Sequence, residues 1–149
     1  MRWKKAHRRR RNITITNTPD YTDLVAQAAA ARERAYCPYS GFAVGAAVLT
    51  ASGRVFPGCN IENASYSATI CAERAALLGA YAAGEREIVA LAVIADTAGP
   101  VSPCGTCRQV ILELAPGGMV ALANTRGDIR LTTPQELLPG GFLPADLLK

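Results

Sequence analysis

Two short stretches, Cys71-Ala72-Glu73-Arg74 and Pro103-Cys104-Gly105-Thr106-Cys107, hold the residues best suited to chemistry. Cysteines three apart at the start of a helix share one face of its first turn, so Cys104 and Cys107 can reach one ion. Cys71 is expected to add a third sulfur from the mouth of another helix. The helix dipole and the free N–H groups there lower a thiol's pKa and prepare the thiolate to bind metal. Zn²⁺ held by three protein ligands keeps a coordination position for water, whereas a structural site is closed by four. The closed alternative would take its fourth ligand from Cys37 or Cys59. Both otherwise read as small, buried apolar side chains.

Glu73 favours the open site. Hydrolysing a C–N bond there needs a base for the water's proton and an acid to deliver it to nitrogen. The single histidine, His7, lies in a basic tail, so imidazole catalysis is set aside. A carboxylate two residues after a ligand, at the same helix mouth, can sit beside the bound water. Elsewhere it would be an ordinary glutamate favouring a helix N-terminus. Three thiolates on Zn²⁺ leave one negative charge in excess. Arg74, three residues after Cys71 on the same face, is the expected donor to a sulfur; its alternative is a surface arginine.

The elements that must position these groups follow from pattern. Residues 22–35, rich in Ala, Leu, Gln, Glu and Arg without Gly or Pro, predict a helix that stops before Pro38. The apolar run 42–50 and the segment 55–60 predict a hairpin joined through Ala51-Ser52-Gly53-Arg54. Ser67 or Thr69 is expected to cap a helix reaching about residue 83, with Gly84 just beyond it. The wholly apolar segment 88–95 is the candidate for the centre of the sheet. Ser102-Pro103 predicts a cap and first position for a helix to about residue 114. Strands over 119–123 and 129–132 follow, and Thr133-Pro134-Gln135-Glu136 reads as a capping box. The mixture is α/β, with helices covering a central sheet.

Beyond the two stretches, residues 36–116 resemble the homotetrameric cytidine deaminase family in order. The resemblance rests on Tyr36-Cys37-Pro38-Tyr39-Ser40, Phe42-Ala43-Val44-Gly45-Ala46 and Gly58-Cys59-Asn60-Ile61-Glu62-Asn63-Ala64-Ser65. Cys71-Ala72-Glu73-Arg74 and Pro103-Cys104-Gly105-Thr106-Cys107-Arg108-Gln109 continue it, and Leu137-Leu138-Pro139-Gly140-Gly141-Phe142 extends it. Proline followed by two cysteines, with a non-ligand glutamate, is also the general signature of zinc deaminases. The resemblance implies a three-layer α/β/α fold with a mixed five-stranded sheet. It implies a soluble cytoplasmic enzyme of pyrimidine salvage that turns cytidine or deoxycytidine into the uridine product and ammonia. By position, Cys71, Cys104 and Cys107 would bind Zn²⁺ and Glu73 would shuttle protons. Phe42 would stack on the pyrimidine, while Asn60 and Glu62 would bind the ribose 3′-hydroxyl. The Ala72 N–H would hold the base's O2 and the Ser102 carbonyl its 4-amino group. Tyr66 and Phe142 would complete sites of neighbouring subunits in a homotetramer. Phe42 could instead be a core aromatic, Asn60 or Glu62 could cap a turn, and Tyr66 and Phe142 could be packing residues.

Composition bounds the rest. The 149 residues suit one domain, expected over 19–149 after a basic, solvated, disordered extension over 1–18. Seven of sixteen basic residues (Arg2, Lys4, Lys5 and Arg8 to Arg11) fall in that extension, leaving a weakly acidic body. Such a body is not the footprint of a nucleic-acid binder. The polar Asn12-Ile13-Thr14-Ile15-Thr16-Asn17 argues against a secretory leader, and no apolar run nears the roughly 18 residues of a membrane span. Five cysteines without a leader point to a reducing compartment. Three rivals remain: a polynucleotide deaminase, a closed zinc-binding module, and a related small-molecule deaminase such as one for a nucleoside antibiotic. Only Asn124-Thr125-Arg126-Gly127-Asp128 joins the last two strands, too short for a parallel crossover. An antiparallel pair there belongs with the nucleoside deaminases.

Overall fold

A computed structural model of the chain describes residues 21–148. The expected extension over residues 1–18 lies outside the described residues. The elements run α1 (Tyr21–Arg32), β1 (Val44–Thr50), β2 (Val55–Cys59), α2 (Ala72–Ala82), β3 (Ile88–Ala95), α3 (Gly105–Leu114), β4 (Met119–Asn124), β5 (Ile129–Thr132), α4 (Pro134–Leu137) and α5 (Pro144–Leu147). A 3₁₀ turn, Tyr66–Ala68, precedes α2.

The five strands form one sheet in the order β2-β1-β3-β4-β5. β1 pairs antiparallel with β2 and β3, β3 pairs parallel with β4, and β4 pairs antiparallel with β5. β3 occupies the centre, as its unbroken apolar sequence requires: a strand covered on both faces has no polar side. Pro57 lies in β2, an edge strand, where a missing N–H is tolerated. The antiparallel β4–β5 pair is the one its short connection demanded.

Alternation along β3 divides the core. Ala90, Ala92 and Ile94 face α1 with Ala47, Ala121 and Ala123, while Leu91 and Val93 face α2 and α3 with Val48, Val120 and Leu122. The result is a three-layer α/β/α arrangement, one helix on one face and two on the other. Leu77, Leu91, Ile111 and Leu122 are fully buried, each stabilising the fold by about 1.5–3 kcal/mol through removal from water. Small residues set the spacing of the layers. A Cβ added to Gly45 would lie 2.0 Å from the Ala28 carbonyl oxygen of α1, and one added to Gly58 would lie 2.5 Å from the Ala76 nitrogen of α2.

Several boundaries differ from the sequence expectation. Helix α1 ends at Arg32 rather than near residue 35, because Tyr36 is drawn into a bridge with Ile61. Helix α2 starts at Ala72, not after Ser67 or Thr69. Ile70 exchanges both backbone hydrogen bonds with Ile61, which keeps the chain extended up to Cys71. Helix α3 starts at Gly105, with Cys104 rather than Ser102 as its N-cap, since the Val101 N–H donates to the Ala123 carbonyl and holds that approach to the sheet. The Thr133–Glu136 capping box is present at α4, and the short α5 was not anticipated.

Candidate metal centre and nucleoside cavity

The two helix starts put all three expected sulfurs together. Cys71 is the N-cap of α2, Cys104 the N-cap of α3, and Cys107 stands one turn further along α3. An N-cap side chain ordinarily accepts a hydrogen bond from its helix's free N–H groups. Neither cysteine makes such a side-chain bond, which leaves both sulfurs available to a metal. The three Sγ atoms lie within 4.8 Å of one another, and those of Cys71 and Cys104 are 3.8 Å apart. Sulfurs bound tetrahedrally to zinc at about 2.3 Å are themselves about 3.8 Å apart. The donor set therefore fits zinc in both chemistry and spacing.

Charge supports the same fit. The hydrogen bond from Cys107, with help from Arg74, holds the Cys71 thiol down at about 5. That same bond, together with burial, pushes Cys107 well up. Three sulfur ligands call for a dication, whose binding would release the protons they still carry. The Arg74 guanidinium donates to the Cys71 sulfur at 3.3 Å and to the Thr69 carbonyl at 3.2 Å. Its Nε is buried without a partner among the described residues.

Cys37 and Cys59 stand outside the sulfur group among the described residues. They are also half-buried rather than the buried apolar residues expected, and the Cys59 thiol is directed at the Arg34 carbonyl.

Glu73 lies two residues past the α2 cap and is only 4% exposed. Burial raises the pKa of its carboxyl above the usual range. It lines a cavity of about 290 Å³ with Phe42, Asn60, Glu62, Tyr66, Cys71, Ala72, Ser102 and Cys104. All but Tyr66 were expected at one chain's site; Tyr66 was expected to complete a neighbouring subunit's site and here lines the cavity of its own chain. Phe42 falls just before β1 rather than within it, and its ring is 43% exposed at the cavity wall. Asn60 likewise follows β2 instead of ending it. Its side chain continues the β1–β2 ladder, accepting from the Val44 N–H at 2.9 Å and donating to the Phe42 carbonyl at 2.8 Å. Phe142 does not line this cavity. Its ring is 55% exposed, and its carbonyl accepts from Gln109 at 2.7 Å.

Four wall residues were given no part in the cavity from the sequence: Ser40, Val44, Val101 and Thr69, the last expected only as a helix cap. Ser40 and Val44 stood in stretches already singled out, but nothing in their residue types distinguished them. Arg108 was missed too. It ties the approach to Cys104 to α4, donating to the Pro103 and Leu137 carbonyls at 2.9 Å each and to the Ser102 hydroxyl at 2.7 Å.

A mixed sheet that carries three convergent cysteines at two helix mouths, beside a buried glutamate, has the architecture of a zinc-dependent deaminase. Residues 19–123 match the family described as the cytidine and deoxycytidylate deaminase zinc-binding region, and the chain belongs to that family. It is 56% identical over 129 residues to a cytidine deaminase of Sporosarcina psychrophila, covering 86% of this chain and 95% of the relative. A cytidine deaminase of Mycobacterium tuberculosis is 42% identical over 128 residues, covering 86% of this chain and 93% of its own. The crystal structure of a cytidine deaminase from Burkholderia pseudomallei superposes with a TM-score of 0.79 at 53% identity, covering 82% of this chain and 98% of that one. No helix among the described residues is long and apolar enough to cross a membrane.

Proposed function

We propose that the protein hydrolyses cytidine and 2′-deoxycytidine to uridine and 2′-deoxyuridine with release of ammonia, a reaction of pyrimidine salvage. One observation carries the reading. Three sulfurs spaced for a tetrahedral ion meet a buried carboxyl at the wall of a cavity large enough for a nucleoside. The name borne by relatives 56% identical to this chain supports the choice of substrate.

In this reading Cys71, Cys104 and Cys107 hold zinc, and Arg74 offsets their charge. When bound, the metal supplies the Lewis acidity that makes a water reactive near neutral pH. Glu73 takes one proton from that water and passes it to N3 of the pyrimidine, while the oxygen bonds to C4. Glu73 then moves the second proton from this oxygen to the 4-amino nitrogen. The C4–N bond breaks, ammonia leaves and a C4 carbonyl remains. Phe42 offers its flat face to the ring, the Ala72 N–H holds O2, and the Ser102 carbonyl accepts from the 4-amino group. Asn60 and Glu62 bind the 3′-hydroxyl of the sugar.

The reading includes a homotetramer in which Phe142 completes a neighbouring site and Tyr66, at the wall of its own cavity, also reaches one. It is supported by their exposure, 55% and 60%, in a single chain. The five free thiols suit a reducing, cytoplasmic setting.

Ultraviolet monitoring of cytidine tests the mechanism. Conversion should stop when a chelator removes zinc and resume when the metal returns. Glu73→Gln should keep its zinc yet lose at least about 10²-fold in kcat. Native turnover by that variant would remove Glu73 from the mechanism, and activity without metal would remove zinc.

A further inference from the structure

Glu62 is 5% exposed and carries a charge that three donors hold in place. The Tyr39 N–H reaches its Oε2 at 2.9 Å, and the Ser40 N–H reaches the same oxygen at 3.3 Å. The Ser40 hydroxyl donates to Oε1. Ser40 therefore grips both carboxylate oxygens at once, one with its backbone and one with its side chain. The same hydroxyl accepts from the Phe42 N–H at 3.0 Å, and the Phe42 carbonyl is held by Asn60 at 2.8 Å. A serine hydroxyl has a single proton to donate, and here Glu62 takes it. Ser40 lines the cavity but has no donor left for a ligand.

We propose that Ser40 is a positioning residue for sugar recognition, its hydroxyl fixing the Glu62 carboxylate against the nucleoside's 3′-hydroxyl. The inference rests on the reading of Glu62 as the sugar-binding group. A carboxylate has about four acceptor positions, of which Ser40 and Tyr39 fill three, leaving one for a ligand hydroxyl. The Ser40 hydrogen bond is also the main influence holding the Glu62 carboxyl below its usual range, which keeps it ionised as an acceptor. Residues 39 and 40 can present this grip because the chain turns after Pro38 and leaves through Gly41 at a φ of 67°, a conformation suited to glycine.

The test compares cytidine with 3′-deoxycytidine, which lacks the hydroxyl in question, in the zinc-loaded enzyme. Ser40→Ala should raise KM for cytidine by about ten- to a hundredfold, the usual loss for a hydrogen bond to a charged group. KM for 3′-deoxycytidine and kcat for both substrates should stay within about twofold, because a group with no remaining donor adds nothing to a sugar that lacks the hydroxyl. Ser40→Thr, which keeps the hydroxyl, should restore the native preference. A preference unchanged in Ser40→Ala but lost in Glu62→Ala would overturn the role of Ser40 and leave the sugar site standing. A preference unchanged in both variants would overturn the sugar site, and the proposal with it. Equal losses on both substrates in Ser40→Ala would mark a general structural effect and also overturn it.

Discussion

The side chains around the cavity differ in how directly they can act on a ligand, and Asn60 shows the point. Its amide gives one N–H and one lone pair to the backbone on either side of the wall aromatic, at the Phe42 carbonyl and the Val44 N–H, and in the proposed reading keeps its second N–H for the sugar hydroxyl. Asn60→Asp preserves size but turns a donor into an acceptor, setting a carboxylate oxygen against the Phe42 carbonyl. The ring then loses its anchor whichever sugar is bound. We expect KM to rise about five- to thirtyfold for 3′-deoxycytidine, from the loss of one hydrogen bond and repulsion at the acceptor left behind, and further for cytidine, which also loses a donor to its 3′-hydroxyl. Steady-state kinetics on the two nucleosides measures it; a loss confined to cytidine would show that Asn60 acts through the sugar alone. The sulfurs and Glu73 were legible in the sequence because their chemistry lies in residue type and short spacing. Ser40 was not. The role proposed for it comes from the meeting of a turn with the segment after β2, 22 residues apart, and a serine in a turn has many commoner explanations.

At the level of elements, β3 was legible to the residue and the helix starts were not. Eight consecutive apolar residues have one sensible location. A helix start is instead a competition between caps and whatever pairs with the preceding chain. At α2 the Ile61–Ile70 bridge wins, and at α3 the hold on Val101 does. Those outcomes move the first helical residue to just after a cysteine in each case, which is what aims both sulfurs at one point. Close approach of layers is similarly invisible in composition. Gly45 sits where α1 crosses β1, and the two nearest atoms a methyl group would strike are backbone, which cannot swing aside as a side chain can. Gly45→Ala should destabilise the protein by about 3 kcal/mol or more, at the upper end of overpacking costs. Chemical denaturation would read this as a lower midpoint at unchanged slope. Gly79→Ala is the control, since an added methyl there meets nothing within 4 Å.

A single chain leaves an unusual amount of aromatic surface beside its cavity. Tyr39 and Tyr66 meet edge to face with ring centroids 6.4 Å apart, both well exposed, and Phe142 is exposed away from the cavity. Exposed apolar side chains that cluster, rather than standing singly, mark a surface that a partner covers. A ring outside its own cavity, its backbone fixed to α3 through Gln109, is placed to serve another copy. If Phe142 completes a neighbour's site, Glu73→Gln and Phe142→Ala chains should each be nearly inactive alone yet complement one another when co-expressed. The surviving sites would pair an intact Glu73 with a Phe142 donated by the other variant. Random assembly of equal amounts then yields about a quarter of the native activity, since half the chains keep the carboxylate and half of their neighbours keep the ring. Sedimentation of the same preparation should give about four times the 15.7 kDa chain mass. A tetramer with no complementation would mean that Phe142 serves its own subunit or only packs, and a monomer with full activity would mean that one chain builds the whole site.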